Sequence, residues 1–268
     1  MEVKINELPE LTDPSGSHIV GYKGDDTVQI PTDAIVAVSA INHRNVYRGK
    51  NLGSSVTAAQ KAAIQAGSFD DLFIGDYWII NGVTWVIADM DYFYNCGDIA
   101  FTKHHLVIVP NDPLYDAQMN ESYVTTGGYV GSKMYTENLN SAKATISAAF
   151  GDMVLSHRDY FTNAVTDGHP SAGAWLDSTV DLMNEVMVYG THMFAPANNG
   201  VTTPARITVA KQQLALFALN PKAINNRQGI WLRDVVSATH FAYVYGSGRA
   251  DYANALDSLG VRPEFCIG

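Results

Sequence analysis

Charged residues are scarce in this sequence and make up 16% of its 268 residues. An average globular domain carries about 25% charged residues. Hydrophobic residues reach 47% of the chain, so the composition excludes a long coiled coil and argues against intrinsic disorder. The length admits one large domain with a short appendage, or two modest domains.

Basic residues are especially few. Seventeen Lys and Arg stand against 27 Asp and Glu, the formal net charge is −10, and no basic cluster interrupts the acidic balance. Such a surface would repel a phosphate backbone over most of its area. We therefore do not expect a nucleic-acid partner.

Long apolar runs are missing, since no stretch approaches the roughly 18 residues that cross a bilayer. The first ten residues are polar and lack the basic start and apolar run of a secretion signal. We therefore expect no membrane insertion and a cytoplasmic place of synthesis. Cys96 and Cys266 are the two cysteines, and in that compartment both are predicted to remain thiols.

Metal and nucleophile motifs are missing as well. The adjacent pair His104 and His105 has Asp89, Asp91 and Asp98 nearby in sequence. Neighbouring residues of a strand point to opposite faces, however, and no His-x-His, Cys-x-x-Cys or His-Glu-x-x-His spacing occurs. A surface or packed histidine pair is favoured, and no Gly-x-Ser-x-Gly elbow occurs either, so we predict no metal, no cofactor and no catalytic residue.

What the chain does contain falls into two parts. Residues 1–45 combine turn clusters at 13–16 and 24–26 with short extended pieces, His18–Tyr22 and Thr27–Ile30. So small a segment cannot bury its own core and needs a partner surface. Residues 46–268 are predicted to form the main domain.

The main domain begins with local signals for a helix and a hairpin. Thr57–Ala66 is an Ala-rich helical stretch with Ser55 as a possible N-cap and Gly67 at its end. Two strand-like runs, residues 77–80 and 83–87, flank Asn81-Gly82, the dipeptide that a type I′ turn requires. Leu106–Val109 is predicted to form a further strand.

Two longer helices are predicted next, at Ser132–Phe150 and Ser178–Val188, because apolar residues recur there every three or four positions. The glycine-rich stretch 127–131 is predicted to be the loop that enters the first of them. Short apolar segments, interpreted as strands, follow at Arg206–Val209, Leu214–Leu219, Trp231–Leu232, Phe241–Val244 and Val261–Ile267. This order predicts an α+β domain whose terminal strand closes a sheet.

Residues 239–259 differ in character from their surroundings, because small Ala, Gly and Ser residues alternate there with Tyr, His, Arg and Asp. Tyr and Arg supply contact area and directed hydrogen bonds in binding surfaces. An equally weighted interpretation is a pair of half-exposed strands joined by the turn Gly246–Gly248.

The last forty residues also carry a family resemblance. The closing motif of C-type-lectin-like domains in phage structural proteins resembles two short runs here, Trp231-Leu232-Arg233 and Gly260-Val261-Arg262-Pro263-x-Phe265. These phage proteins include the diversity-generating-retroelement variable proteins of the major tropism determinant type. The C-type-lectin-like fold consists of twisted antiparallel sheets with two helices. Residues 5–9 and 13–16 resemble the start of phage tail or head fibre proteins, where this region attaches the protein to the virion.

The resemblance implies a receptor-binding segment. Diversification by adenine substitution in asparagine codons cannot produce Lys, Glu, Gln, Met or Trp, and residues 239–259 contain none of these. The implied framework residues are Trp231, Arg233, Arg262 and Phe265. The implied ligand-binding set is His240, Tyr243, Tyr245, Ser247, Arg249, Asp251, Tyr252, Asn254, Leu256, Asp257 and Leu259.

The resemblance implies a homotrimeric virion fibre that is assembled in the cytoplasm of the host bacterium. The fibre is expected to display this segment to a bacterial surface receptor, which is either a glycan or a protein. A purely structural head-decoration, neck or baseplate fibre is the alternative. Formylglycine-generating oxidases share the closing motif, but their paired cysteines do not match Cys96 and Cys266, so we expect a protein that is not an enzyme. The calcium-binding Glu-Pro-Asn or Gln-Pro-Asp loop of sugar-binding lectins is not present.

If the segment is diversified, sequencing this gene and its flanks across the source population will find amino-acid changes concentrated in residues 239–259. A reverse-transcriptase gene and a near-copy of the segment are expected beside it. An invariant segment without such neighbours would remove diversification and leave a fixed-specificity adhesin or a structural fibre.

Overall fold

The computed structural model of the chain describes residues 18–23, 26–31, 43–162, 165–166, 169–170, 173–195 and 212–268. The chain divides into two compact units, Met1–His43 and Arg44–Gly268. In the first unit, the described residues form one antiparallel hairpin of β1 (His18–Lys23) and β2 (Asp26–Pro31). Both predicted extended pieces are confirmed, whereas the attachment motifs at 5–9 and 13–16 lie outside the described residues.

The second unit combines short helices with antiparallel and mixed sheets, so the α+β prediction is confirmed at that level. Its α-helices are α1 (Ala58–Ala66), α2 (Leu139–Phe150), α3 (Glu185–Tyr189) and α4 (Ala215–Leu219). Short non-α turns lie at His43–Asn45, Met134–Asn138, Gly151–Met153 and Pro221–Ile224. No helix within the described ranges has the length and apolarity needed to cross a bilayer.

Among the described residues, six strands form the larger sheet, namely β3 (Tyr77–Ile80), β4 (Val83–Met90), β5 (Leu106–Pro110), β7 (Val154–Leu155), β12 (Val180–Leu182) and β17 (Pro263–Ile267). Their order in the sheet is β12-β17-β5-β4-β3, with β7 also paired to β17. The predicted hairpin is confirmed, since β3 and β4 pair across Asn81-Gly82 and both turn residues have positive φ. The terminal strand does enter a sheet, with neighbours on both of its sides.

A five-stranded sheet is formed by β6 (Tyr115–Gln118), β13 (Ile230–Val235), β14 (His240–Val244), β15 (Ala250–Asn254) and β16 (Ser258–Val261). Their order in the sheet is β15-β14-β13-β16-β6. Two smaller pairs are β8 (His157–Thr162) with β11 (Gly173–Ser178), and β9 (Val165–Thr166) with β10 (His169–Pro170). The predicted strand Val261–Ile267 is in fact two strands in different sheets, and the chain crosses between the sheets at Arg262.

Two predicted elements were wrong in type. Val180–Leu182 is a strand and not the start of a helix, because it pairs with β17, with Val180 opposite Phe265. The helix begins only after Asn184, whose side chain accepts a hydrogen bond from the Met187 N–H at 2.7 Å.

The second error concerns Leu214–Leu219, which was predicted as a strand. Ala215–Leu219 is the helix α4, and its first N–H donates to the buried carboxylate of Asp89 at 2.9 Å. The predicted strand Arg206–Val209 lies outside the described residues.

Helix α1 is capped by Thr57 and not by Ser55. The Thr57 hydroxyl accepts from the Gln60 N–H at 3.2 Å, and the Gln60 side chain accepts from the Thr57 N–H at 2.9 Å. This reciprocal pair is a capping box. Gly67 ends the helix in the left-handed conformation, as predicted.

Helix α2 packs its predicted apolar stripe against the larger sheet. Phe150, at its end, contacts Trp85 and Phe265 edge to face or tilted, and the three ring centroids lie 5.2 to 5.5 Å apart. All three side chains are buried. Aromatic clusters of this kind bury a large apolar area and join helix α2 to strands β4 and β17.

A second buried cluster is ionisable. Arg233 on β13 donates to Asp159 on β8 at 2.6 Å, and Tyr129 donates to Asp181 on β12 at 3.0 Å. Glu264 on β17, opposite Asp181, is 1% exposed, and neither of its oxygens has a hydrogen-bond partner among the described residues. Burial raises the pKa of Glu264 to about 8, against the smaller opposing effect of Arg233.

Substituting Gly67 by Ala is expected to destabilise the protein more than substituting Gly82 by Ala. Both glycines have left-handed φ, but a Cβ at Gly67 would lie 2.6 Å from the His104 ring, whereas a Cβ at Gly82 has no atom within 4 Å. The control therefore carries only the backbone strain of about 1 kcal/mol. Urea unfolding of both variants measures the difference, and equal midpoints would contradict it.

Stability is expected to fall between pH 6.5 and 8 because folded Glu264 holds its proton up to a pKa of about 8, whereas the unfolded carboxyl, with its ordinary pKa of 4.5, has lost it. In this window the folded state binds more protons than the unfolded state. The free energy of unfolding therefore falls with pH, with a slope that approaches about −1.4 kcal/mol per pH unit. Asp181 and Asp234, with pKa values raised by burial to about 6, act in the same direction mainly below this window. Burial lowers the pKa of His157 to about 4 and also lowers the pKa of His105. Both histidines act in the opposite direction up to their unfolded pKa of 6.5, so they offset the effect of Glu264 at the lower edge of this window and little above it.

Denaturant unfolding at several pH values in this window tests the effect, with Glu264→Gln as the isosteric variant that cannot ionise. The variant is expected to show a clearly flatter pH dependence. Equal slopes for the two proteins would show that Glu264 is not the titrating group.

Candidate functional site

The predicted ligand-binding segment forms the hairpin β14–β15. Tyr243 lies opposite Asp251, Ala242 opposite Tyr252, and His240 opposite Asn254. Alternate residues of a strand point to opposite faces. The predicted site residues therefore divide between two faces of the hairpin and do not form one surface.

One face, here called the cleft face, carries Tyr243, Tyr245, Arg249 and Asp251. The Arg249 guanidinium lies 4.5 Å from the centroid of the Tyr245 ring and donates to Asp251 at 2.7 Å. The Tyr243 and Tyr245 rings are 6.3 Å apart, edge to face. Partial burial and the Asp251 carboxylate raise the pKa of Tyr243. A cation over an aromatic ring and an ion pair thus hold Arg249 along the hairpin.

The hairpin stands on a buried base. The rings of Tyr243 and Trp231 pack edge to face, with their centroids 6.3 Å apart. The buried Trp231 indole N–H donates to the Ala117 carbonyl at 2.8 Å. Phe241 and Val244 are buried within β14 itself. The exposed aromatic rings are therefore held on a packed scaffold, which reduces the entropy lost when they bind a ligand.

An open cleft of about 560 Å³ adjoins this face. Four predicted residues line it, namely Tyr243, Tyr245, Ser247 and Leu259. The prediction missed four others, namely Asn225, Arg227, Gly229 and Gly246. The polar run 225–228, directly before the apolar strand β13, is the sequence signal that could have indicated the first two.

The opposite face of the hairpin carries a second aromatic group. Tyr252 contacts His240 and Phe194, each with ring centroids 5.2 Å apart. Phe194 is held there by Glu185, whose buried carboxylate accepts hydrogen bonds from the backbone N–H groups of residues 193–195 at 2.9 to 3.3 Å. The sequence contained no local indication of this loop.

The remaining predicted residues are Asn254, at the end of β15, and Leu256 and Asp257, in the turn that follows it. The Asp257 carboxylate accepts from the Asn254 N–H at 3.1 Å, and the Leu256 carbonyl accepts from the Gln118 side chain at 2.6 Å. These contacts stabilise the turn between β15 and β16. They do not bring Asn254, Leu256 or Asp257 to the lining of the cleft.

The four framework residues are all buried, with side chains in or beside the two sheets. Cys266 is buried on β17, where burial raises its thiol pKa well above the ordinary value. Cys96 lies in another segment and is not disulfide-bonded to it.

The histidine pair is used structurally. The His104 ring stacks on the Tyr94 ring with their centroids 4.8 Å apart, and its Nδ1 lies 2.7 Å from a carboxylate oxygen of Asp91. The Nε2 atom of buried His105 accepts a hydrogen bond from the Phe93 N–H at 3.1 Å. Within the described part of the chain, no three His, Cys, Asp or Glu side chains are grouped so as to hold a metal ion.

We compared the chain with models of protein families, with curated proteins and with solved structures, and none of the three comparisons found a match. The family resemblance of the closing motif stays a prediction.

Proposed function

We propose that this chain is a receptor-binding protein of a phage particle and that it binds a bacterial surface ligand in the cleft beside the β14–β15 hairpin. The observation that supports this function is the row of Tyr243, Tyr245 and Arg249 held beside an open cleft on a buried base. Exposed aromatic rings and an Arg on a preorganised scaffold are typical of binding surfaces.

A glycan is the ligand that this cleft fits best. Tyrosine rings pack against the apolar faces of sugar rings, while Asn225, Arg227 and Ser247 offer polar groups on the same cleft for hydroxyl groups. The cleft is open, so one sugar of a longer chain could enter it from the side.

The finer fold proposal is a C-type-lectin-like domain. It is supported by two sheets linked through the closing segment, in which the framework residues Trp231, Arg233 and Phe265 are buried. Residues 1–45 would attach the domain to the virion, and a trimer with many copies on one particle would raise a weak single-site affinity through avidity. Attachment, trimerisation and virion location rest on the resemblance.

Replacing Tyr245 by Ala is expected to weaken binding at least about tenfold, which corresponds to about 1.4 kcal/mol. The measurement is binding of the purified chain to an array of bacterial lipopolysaccharides, capsular polysaccharides and teichoic acids. Tyr252→Ala is the matched control, because Tyr252 is equally exposed, at 46% against 45%, but lies on the opposite face.

Loss of binding in Tyr245→Ala and Arg249→Ala, with Tyr252→Ala unaffected, would support the cleft face. Loss in Tyr252→Ala alone would place binding on the other face. Binding that none of the three changes, or no binding to the array, would overturn the glycan proposal and favour a structural fibre.

A further inference from the structure

A second cleft, of about 450 Å³, lies where the chain crosses from β16 to β17. Its polar and aromatic lining consists mainly of Tyr47, Tyr77, Asn111, Asn220, Lys222 and Arg262. Only residues of the second unit line it. It shares no lining residue with the cleft beside the hairpin.

Arg262 is the unusual residue of this cleft, because its side chain is buried at 2% exposure but has no acidic partner. Its Nε donates to the Pro110 carbonyl at 2.7 Å. Its Nη1 donates to the Ala223 carbonyl at 3.0 Å and to the Asn226 side chain at 3.1 Å. Among the described residues, Nη2 has no hydrogen-bond partner, and no carboxylate lies within 4.0 Å of the guanidinium.

The surroundings do not neutralise this charge. Burial lowers the pKa of Arg262 to about 10, and the nearby Asp112 opposes that effect without forming an ion pair. The guanidinium is therefore charged at neutral pH. Buried charges are ordinarily paired. Because this cation lines a cleft and one of its donors has no partner among the described residues, we expect an anion to bind there.

The charged side chains that line the cleft are all basic. Lys222 adds a second cation, and no Asp or Glu lines the cleft, although the whole chain carries 27 acidic residues against 17 basic ones. The two asparagines add side-chain amides, which donate hydrogen bonds to carboxylate or phosphate oxygens.

One wall of the cleft is the aromatic ring of Tyr47. The Tyr47 ring lies so close to Gly75 that a Cβ at Gly75 would fall 2.2 Å from a ring carbon. Tyr47 is nevertheless 44% exposed, so the ring offers apolar surface to an occupant of the cleft. A ring-sized body could pack there while its acidic group reaches Arg262.

We propose that this second cleft binds a small ligand that carries one carboxylate or phosphate group on a sugar-sized ring. Arg262 Nη2 and Lys222 bind the acidic group, and Tyr47 packs against the ring. This site is separate from the hairpin cleft and does not depend on the function proposed for it.

Calorimetric titration of the full chain with glucuronate, glucose 6-phosphate and glucose tests the site. At least one of the two acidic sugars is expected to bind, with glucose weaker by about tenfold or more, and added salt should weaken the binding. Preference for glucuronate identifies a carboxylate ligand, and preference for glucose 6-phosphate identifies a phosphate ligand. Failure of both acidic sugars to bind, or equal binding of glucose, would overturn the proposal.

Lys222→Glu is the informative variant, because Lys222 is exposed at a surface turn and its replacement should leave the fold intact. It is expected to weaken binding at least about fivefold by reversing one charge at the cleft. Lys103→Glu makes the same charge change at an exposed lysine outside the lining and should leave binding unchanged. Equal effects of the two variants would show a general charge effect and contradict the site.

Discussion

The pairing of β17 is the constraint on which the rest of the second unit depends. This strand is the last of the chain, yet it pairs with β5 on one side and with β12 and β7 on the other. Segments that are far apart in sequence therefore become neighbours only when the C-terminus is in place. Its alternating side chains direct Phe265 towards the aromatic cluster under helix α2 and Glu264 towards the buried ionisable cluster.

Arg262 links this constraint to the second cleft. The chain leaves the five-stranded sheet after Val261 and enters the larger sheet at Pro263. The residue between them, Arg262, is buried at the change of sheet. Its guanidinium donates to the carbonyl of Pro110 at the end of β5 and to that of Ala223 in the turn Pro221–Ile224. Arg262, a framework residue of the closing segment, therefore also lines the second cleft. There, one donor of its buried guanidinium, Nη2, has no hydrogen-bond partner among the described residues.

The hairpin illustrates how tertiary structure changes the interpretation of a correct sequence pattern. The alternation of small and aromatic residues in 239–259 does correspond to two strands joined at Gly246–Gly248. The two interpretations of the segment are compatible, because a half-exposed hairpin can also be a binding surface. Strand alternation separates Tyr245 from Tyr252, however, and it is the loop 225–229 that completes the cleft on one side only.

Features whose causes lie within a few residues could be predicted from the sequence. These include the turn at Asn81-Gly82, the apolar stripe of α2, the end of α1 at Gly67 and the composition of the hairpin. Tertiary structure alone decided that Val180–Leu182 is a strand, because its partner β17 lies some eighty residues away. It also made Ala215–Leu219 a helix, because the carboxylate that accepts its first N–H belongs to Asp89. Long-range partners of this kind outweigh local propensity, since a buried polar group or an unpaired strand costs more free energy than an unfavourable local preference.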